Sequence, residues 1–483
     1  MRYYPTIGLE IHIELKTKSK MFCSCKNDPD EKTPNVNVCP ICLGHPGTLP
    51  TINEEAIKKT IKIGLALNCQ ISTHTIFERK NYFYPDLPKG YQISQYSTPL
   101  CKNGFLEIEG KKIRIRRIHV EEDTGRLTHT KDYSLIDFNR AGIPLVELVT
   151  EPDIESPKEA KLFAEELHLM LRYLQVSSVN MEKGQMRIEA NVSLGRLKGE
   201  LGTKVEIKNL NSFKAVEKAI EYEIKRQSEI LNAGKKIQQE TRGWDPIKEI
   251  TFPQRQKEYE HSYRYFPEPD LPPLKIMSRT IDILKSEIPE LPQKKRERFK
   301  REYSLDENSI EIFIKNKDLG EYFEKVVSEF DPHLPKEKLT RLIHLTVNYL
   351  KTELLGFLSG NHFSEENILI TPENFAEFIS LIENGRISSK LAKIILEEMF
   401  KTGKDPSNIM EEKELVQITN KDEILTFIKD VIKENEKAIE DFKGGKESSI
   451  QFLIGQVMRK TKGKANPQMV RDLLREQLKN YLK

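Results

Sequence analysis

Strict alternation of apolar and polar residues marks the beginning of the chain. An apolar residue stands at every second position of the run GLEIHIEL (8–15). Because successive side chains of a strand point to opposite faces, this run predicts a β-strand over 6–15 with Glu10, His12 and Glu14 on one face. Similar patterns predict further strands at 113–120, 133–138, 144–149, 186–194 and 203–209.

Helical patterns follow and dominate the second half of the chain. A capping box at Ser156–Glu159, with proline at the first helical position, predicts a helix that runs to about residue 175. An amphipathic run predicts a second helix from about 213 to 232, ending near Gly234. From about residue 276 the pattern is helical almost throughout, and its last helices are predicted near 421–442, 447–459 and 467–481.

A proline-rich segment divides these two regions. The sequence FPEPDLPPL (266–274) can continue neither a helix nor a central strand, because proline removes a backbone donor and fixes φ. We therefore expect an α+β protein with a domain boundary just after this segment. The predicted domains are a strand-rich domain at 1–275, a helical domain at 276–409 and a small helical tail domain at 410–483.

Composition narrows the class of protein. Of the 483 residues, 31% are charged and 37% are hydrophobic. No apolar run approaches the ~20 residues that a membrane helix needs, and the N-terminus has no signal-peptide core. We expect a cytoplasmic protein that does not bind membranes.

Charge is spread unevenly along the chain. The formal net charge is +3, yet residues 443–483 hold ten Lys and Arg against three acids. A basic tail on a mildly acidic body suggests a polyanionic partner such as a nucleic acid, although a solvated pair of surface helices can be equally basic.

Four of the six cysteines are clustered near the N-terminus. Cys23 and Cys25 form a C-x-C element, and Cys39 and Cys42 form a C-x-x-C element thirteen residues later. In a reducing compartment this spacing is typical of a metal knuckle rather than of disulfides. Four thiolates would complete a tetrahedral zinc site with no open position, which is a structural role. Free thiols are the alternative.

Acidic residues recur in the other predicted strands, on polar faces at Glu189 and Glu206 and inside an otherwise apolar run at Glu147. If these strands neighbour one another, the carboxylates of Glu147, Glu189 and Glu206 converge with Glu10 and His12 on one surface. Magnesium prefers oxygen ligands and is usually held by one or two carboxylates together with substrate phosphates. The pattern thus fits an ATP-using site without a P-loop, and the alternative is a polar sheet face laced with salt bridges.

Cationic and aromatic residues accompany these strands. Arg187 and Lys208 share the faces of Glu189 and Glu206, and two loops at 79–88 and 263–267 combine tyrosines with arginine and lysine. Aromatic rings stack on bases while cations meet phosphates. A packed turn with buried tyrosines is the plainer interpretation of each loop.

Seven stretches spread over the whole chain resemble the B subunits of the bacterial tRNA-dependent amidotransferases. They are IGLEIHIELKTKSKMFC (7–23), RKNYFYPDLPKGYQISQY (79–96), HVEEDTGR (119–126), NRAGIPLVELVTEPDI (139–154), EIKNLNSF (206–213), YRYFPEPDLPPL (263–274) and IGQVMRKTKGKANP (454–467). Several of these strings are long and unusual, so the chain is identified as a member of that family.

The resemblance implies one member of a three-subunit ligase. In that family the B subunit uses ATP and magnesium to phosphorylate the side-chain carboxylate of Glu-tRNA(Gln) or Asp-tRNA(Asn). Ammonia from the glutaminase, which is the A subunit, then displaces the phosphate, and the small C subunit holds the other two together. The implied fold is an antiparallel-sheet cradle of the glutamine synthetase type, followed by helical and tail domains that hold the tRNA.

The resemblance also suggests roles for individual residues. It implies magnesium ligands at Glu10, His12 and Glu122. Strand alternation counted from Val120 favours Glu121 instead, but the alternation already breaks near Arg117, which predicts a bulge, and the family pattern is followed here. The remaining implied residues are Glu147, Glu189 and Glu206 as further metal or nucleotide contacts, Lys80, Arg187 and Lys208 at phosphates, and Arg459, Lys460, Lys462 and Lys464 at the tRNA backbone.

Two other functions compete with this one. The chain could be a tRNA-binding scaffold without chemistry of its own within the same complex, or a stand-alone ligase that joins ammonia to a small acid. The basic tail argues against the small-acid ligase. The chain lacks a serine-rich amidase signature, so glutamine hydrolysis is expected to belong to a partner.

Overall fold

A nine-stranded mixed sheet organises the first of two compact units, which spans Met1–Pro292. These observations come from a computed structural model, which describes residues 3–255, 263–358, 363–364, 367–413, 420–443, 446, 448–461 and 464–479. The strands are β1 (Tyr4–Glu14), β2 (Gln70–Ile71), β3 (His74–Thr75), β4 (Glu78–Asn81), β5 (Tyr91–Ser94), β6 (Cys101–Ile108), β7 (Lys111–Glu122), β8 (Arg126–His129), β9 (Ser134–Asp137), β10 (Pro144–Thr150), β11 (Met186–Gly195), β12 (Val205–Leu210), β13 (Thr241–Asp245), β14 (Ile250–Arg255), β15 (Phe266–Pro267) and β16 (Leu274–Lys275).

The order of strands in the large sheet is β14-β13-β12-β11-β1-β10-β7-β6-β2. Only β12 and β13 run parallel, and the other pairs are antiparallel. The remaining strands form a three-stranded sheet (β15-β4-β5) and two two-stranded sheets (β16-β3 and β8-β9). Each of the six predicted strands corresponds to an observed one, namely β1, β7, β9, β10, β11 and β12.

Helices cover one face of the large sheet. The first unit contains α1 (Glu54–Ala66), α2 (Pro157–Tyr173), α3 (Phe213–Asn232) and α4 (Ser278–Ser286). Side chains of Asn53, Ser156 and Ser212 cap the first three of these helices by accepting a backbone N–H. The apolar residues of β1 share one core cluster with residues of α2 and α3, including Ile11, Leu167 and Ile220. Each such fully buried side chain stabilises the fold by about 1.5–3 kcal/mol.

The first unit extends beyond the proline-rich segment. Leu284 of α4 belongs to the same core cluster as the sheet, and Lys62 of α1 forms an ion pair with Glu287 just after α4. Packing against α1 therefore assigns the residues between 276 and 292 to the sheet-containing unit.

The second unit, Gln293–Lys483, is helical in its described residues. A short π-helix, Leu350–Leu354, joins its fourth and fifth helices. The helices are α5 (Pro292–Tyr303), α6 (Glu307–Lys315), α7 (Lys317–Ser328), α8 (Lys336–Tyr349), α9 (Leu355–Phe357), α10 (Pro372–Glu383), α11 (Ser389–Thr402), α12 (Pro406–Glu412), α13 (Lys421–Glu434), α14 (Glu436–Lys443), α15 (Ser448–Lys460) and α16 (Pro467–Lys479).

The last four helices have an apolar core of their own. Ile428, Leu453 and Leu474 are among its fully buried members. The predicted helix 421–442 is wrong in one respect, because it is two helices that meet at Asn435. The Asn435 side chain donates to the Val431 carbonyl and so competes with the helical backbone. No helix within the described residues is long and apolar enough to span a membrane.

Candidate active site

Five adjacent strands bring the polar positions found in the sequence onto one sheet face. In the order β12-β11-β1-β10-β7, Glu10 lies opposite Glu189, and His12 lies opposite both Arg187 and Glu147. Residues directly opposite each other share a face. The sequence alone did not show whether these strands are neighbours, and the structure shows that they are. The helices cover the other face, so this face is free to carry polar groups.

One group on this face is a histidine–carboxylate cluster formed by His12, Glu121 and Glu147. A ligand atom from each lies within 4.8 Å of the others. The His12 Nε2 atom is 3.6 Å from Glu121 Oε1 and 3.8 Å from Glu147 Oε2. His119 lies opposite Glu147 on the same face and contacts both carboxylates, with its Nε2 atom 3.3 Å from Glu147 Oε2 and 3.7 Å from Glu121 Oε2.

The electrostatics of this cluster keep its carboxylates charged. Burial by itself would raise the pKa of Glu147, but His119 and His12 hold it well below its ordinary value. Burial by itself would lower the pKa of His119, but Glu147 and Glu121 raise it to about 9. Two buried anionic carboxylates offer the oxygen ligands that a divalent cation prefers.

Lys80 brings a further cation to the same cluster. Its ammonium lies 4.9 Å from the ring centre of Tyr263 and 5.9 Å from that of Tyr82. Burial opposes its charge, yet Glu121 and Glu147 raise the pKa of Lys80 above its usual value. An ammonium held between rings and carboxylates is fixed in place, which suits contact with a phosphate.

A second group, the carboxylate triad, consists of Glu10, Glu189 and Glu206, again with ligand atoms within 4.8 Å of one another. The Lys208 ammonium is 2.6 Å from Glu189 Oε2 and 3.6 Å from Glu206 Oε1. The Asn191 amide donates to Glu10 Oε1 at 2.8 Å, and the Thr241 hydroxyl donates to Glu206 Oε2 at 2.8 Å. These donors fix the orientation of oxygens that could otherwise rotate.

Glu122 lies apart from both groups. Its carboxylate pairs with the Lys89 ammonium, and Oε1 accepts the backbone N–H of Ile93 at 2.9 Å. The predicted bulge is present, since the pairing of β10 with β7 shifts between Arg117 and Ile115. Because this bulge precedes Arg117, the alternation Arg117, His119, Glu121 is intact, and the neighbour of Glu121 points to the opposite face.

Arg187 is on the predicted face but its guanidinium is engaged elsewhere. Its Nη2 atom is 2.9 Å from Asp123 Oδ2, and the Arg140 Nε atom is 2.7 Å from the same oxygen. Arg140 also pairs with Glu14 and donates to the Gly184 carbonyl at 2.9 Å. Burial by itself would raise the pKa of Asp123, but Arg187 and Arg140 keep it below its ordinary value.

The four N-terminal cysteines come together as a knuckle. Their Sγ atoms all lie within 4.8 Å of one another, a range that includes the S–S separation of about 3.8 Å in a tetrahedral zinc–thiolate site. The Cys39 backbone N–H lies 3.1 Å from Cys42 Sγ. The hydrogen bond with Cys23 lowers the pKa of Cys42 to about 5 and raises that of Cys23, and burial raises the pKa of Cys25 to about 11. This donor set fits zinc.

The predicted tRNA-contacting residues lie around the end of α15. Arg459 is exposed there, and Lys464 is half buried after the helix. The Lys460 ammonium is 2.6 Å from Glu434 Oε1, so its charge is partly compensated within the protein. Lys462 lies outside the described residues.

The two aromatic loops found in the sequence pack against each other. Tyr82 of the first loop and Tyr263 of the second lie edge to face, with ring centres 6.0 Å apart. The Arg79 guanidinium forms two 2.8 Å hydrogen bonds with the carboxylate of Glu268, whose side chain is fully buried. This pair ties β4 to β15, so Arg79 holds the loops together within the protein.

Sequence reasoning noted the three acids beside His119 in the segment 119–123, but it assigned no role to His119 or to the Asp123–Arg140 pair. His119 could have been found by applying the alternation to β7, which puts it on the face of Glu121. The link between Arg140 and Asp123 left no periodic signal, because it joins two segments at the ends of neighbouring strands.

Comparison with known proteins identifies the family of this chain. Residues 5–282 match the family model described as the GatB/GatE catalytic domain, and residues 321–478 match the model described as the GatB domain.

Three curated relatives are named as the B subunits of aspartyl/glutamyl-tRNA(Asn/Gln) amidotransferases. The relative from Thermoanaerobacter pseudethanolicus is 49% identical over 484 residues, which cover 99% of this chain and 100% of the relative. Those from Thermotoga maritima and Caldicellulosiruptor saccharolyticus are 47% and 48% identical over 489 residues, covering 99% of each chain. The resemblance predicted from sequence is thereby confirmed, and this chain belongs to the GatB family of amidotransferase B subunits.

Proposed function

We propose that this chain uses ATP and magnesium to activate the side-chain carboxylate of Glu-tRNA(Gln) or Asp-tRNA(Asn) for amidation. The observation that carries the proposal is the arrangement of two metal-ligand groups side by side on one sheet face, each with its own lysine. The histidine–carboxylate cluster has Lys80, and the carboxylate triad has Lys208.

The donor sets fit magnesium. Carboxylate oxygens are the ligands that magnesium prefers, and a site with few protein ligands leaves room for water and phosphate oxygens. The residues that would hold the ions are Glu121 and Glu147 with His12, and Glu10, Glu189 and Glu206. Glu122 is a less suitable ligand than its neighbour, because it pairs with Lys89. When bound, magnesium supplies charge neutralisation at phosphate oxygens.

Lys80 and Lys208 are suited to phosphate binding. Each ammonium is already held beside carboxylates, so little side-chain entropy remains to be lost when a phosphate binds. Arg187 is the less suitable candidate, because its guanidinium is bound to Asp123. We expect Arg187 to orient Asp123 and the end of β7 rather than to contact the nucleotide.

Two-step chemistry explains why such a site is needed. A carboxylate is a poor acyl donor because its leaving group would be oxide, whereas a phosphorylated carboxylate has a good leaving group. The activated substrate must also be protected from water, which favours delivery of ammonia within a closed complex. Ammonia would then arrive from a glutaminase partner, the A subunit, in a complex that also holds the small C subunit.

The tRNA would be held by the helical tail. Its excess of Lys and Arg is the kind of surface that neutralises phosphates, and Arg459 and Lys464 are the candidates among the described residues. Zinc in the cysteine knuckle would be structural, since four thiolates leave no open position for substrate.

The test uses the assembled complex with ammonium chloride in place of glutamine, so that glutaminase activity is not required. His12→Ala should abolish both aminoacyl-tRNA-dependent ATP hydrolysis and amide formation, while tRNA binding is retained. Glu109→Gln, at an exposed ion pair with Lys158, is the matched control and should behave as wild type. Normal turnover in His12→Ala would overturn the proposal and favour a scaffold role. Turnover with free glutamate would instead favour a small-acid ligase.

A further inference from the structure

Lys20 is a fully buried lysine beside the cysteine knuckle. Its relative exposure is 0%, and lysine is almost never buried to this extent unless it is paired. Its ammonium has two polar contacts, Cys42 Sγ at 3.9 Å and the Phe138 carbonyl oxygen at 3.2 Å. No carboxylate of the described residues lies within ion-pair distance of it.

The two contacts of the Lys20 ammonium indicate which group can balance its positive charge. The Phe138 carbonyl is neutral, so of these two contacts only the Cys42 sulfur can carry a compensating negative charge, and a buried charge without a counter-ion costs several kcal/mol. Four thiolates around a divalent cation carry a net charge of −2, and Cys42 would bring part of that charge to the ammonium. The position of Lys20 is thus more favourable with a loaded knuckle than with an empty one.

We propose that the Lys20 ammonium is the counter-ion of a zinc-loaded cysteine knuckle and couples the knuckle to the turn at 138–142. This inference rests on the zinc that is proposed above for the knuckle, and it is independent of the ATP chemistry. Zinc binding orders Lys20 between Cys42 and Phe138, and Lys20 in turn strengthens zinc binding by offsetting the thiolate charge.

The turn at 138–142 connects the knuckle with the candidate active site. The Met21 N–H donates to the Gly142 carbonyl at 2.7 Å, and a Cβ at Gly142 would lie 3.5 Å from both Lys20 Cδ and Cys42 Cβ. Arg140, in the middle of the turn, pairs with Glu14 and Asp123. Loss of zinc should therefore loosen Arg140 as well as the knuckle itself.

The experiment measures zinc affinity of the purified full-length chain by competition with a chromogenic chelator. Lys20→Met keeps the side-chain volume and removes the charge, and we expect zinc affinity to fall about 10- to 100-fold. Lys26→Met is the matched control, because Lys26 adjoins Cys25 in the chain but is exposed and paired with Asp28. The control should bind zinc as the wild type does.

A second measurement uses the wild-type chain and does not depend on how the variant folds. The protein is treated with an amine-acetylating reagent and analysed by mass spectrometry. Lys20 should remain unmodified in the zinc-loaded protein and become acetylated once a zinc-selective chelator has removed the metal, whereas Lys26 should be acetylated in both states. Amide hydrogen exchange at 138–142 should rise with chelation.

The outcomes are distinguishable. A wild-type chain without zinc would overturn the zinc assignment and this inference with it, and would leave the ATP proposal unaffected. If the wild type binds zinc and Lys20→Met binds it with equal affinity, this inference alone is overturned. The same holds if Lys20 is acetylated to the same extent with and without the chelator.

Discussion

Glu121 and Glu122 are neighbours in the chain but serve different environments. The first carboxylate lies 3.6 Å from the His12 ring nitrogen in the histidine–carboxylate cluster, and the second is paired with Lys89 on the opposite side of β7. Both side chains are buried, so exposure does not tell them apart. Their contacts distinguish them, and these contacts predict different consequences when each glutamate is replaced by glutamine.

Glu121→Gln should impair chemistry, whereas Glu122→Gln should impair folding. We expect Glu121→Gln to reduce amide formation by roughly 100-fold or more, because one charged ligand of the cluster is lost. Glu122→Gln leaves the Lys89 ammonium buried without its anion and should cost about 3 kcal/mol of unfolding free energy. Denaturant unfolding and amidation assays measure the two effects, and the reverse assignment of effects would contradict the structure.

Glu10→Gln should weaken magnesium binding. The variant keeps the size of the side chain and the contact with the Asn191 amide, but it removes one charge from the carboxylate triad. We expect the magnesium concentration for half-maximal ATP hydrolysis to rise at least about tenfold. An unchanged magnesium titration would show that the triad holds no metal, and unchanged tRNA affinity would confirm that the variant is folded.

His168 should make stability depend on pH. Burial, with a smaller contribution from Arg172, lowers the pKa of His168 to about 4 from the ordinary value of 6.5. The unfolded chain takes up this proton first, so stability is complete above pH 6.5 and declines as pH falls from 6.5 to 4. The shift corresponds to a loss of at most about 3 kcal/mol of unfolding free energy. We expect the actual loss to be smaller than this bound, because the ring is partly exposed to solvent.

The measurement is unfolding free energy from denaturant titrations at pH 7 and pH 5. His168→Gln should show a smaller loss between these two pH values than wild type. His129→Gln, at an exposed position of β8, is the control and should keep the wild-type pH dependence. Identical slopes for all three proteins would contradict the prediction.

The tail should bind tRNA through its charge. Neutralising Arg459 and Lys464 together, as Arg459→Gln and Lys464→Gln, should lower tRNA affinity and reduce the slope of log affinity against log salt by about 1.5. Lys401→Gln, exposed on α11 beside Glu397, is the control. Equal salt slopes for the double variant and wild type would place the tRNA contact elsewhere.

The sequence predicted the individual strands better than their partners. Alternation identified β1 and β11, whereas β10 is an apolar run that is buried on both faces. However, β1 pairs with strands that lie more than a hundred residues away. Such pairing has no local signal. The strands β2–β6, β8 and β13–β16 were not predicted. All of them except β6, which has eight residues, are two to six residues long, and so short a strand gives little periodic signal.

The candidate site was predictable to the same degree. The residues that alternate along long strands, such as Glu10, His12 and Glu147, lie on the expected face. The choice between Glu121 and Glu122 depended on where a bulge falls, and that is set by cross-strand register. The ion pairs of Arg140 join separate segments, so only the folded chain reveals them.

The bulge in β7 also determines which changes of length this strand can tolerate. Arg116 is the extra residue opposite Val149 and Thr150. Removing one residue upstream of it would straighten the strand and leave the downstream carboxylates in place. Removing one residue between Arg117 and Glu121 would shift the following residues by one position, so that Glu122 would point to the metal-ligand face and Glu121 to the opposite face. A deletion upstream of Arg116 would thus yield a strand without the bulge, whereas a deletion between Arg117 and Glu121 would yield an inactive protein.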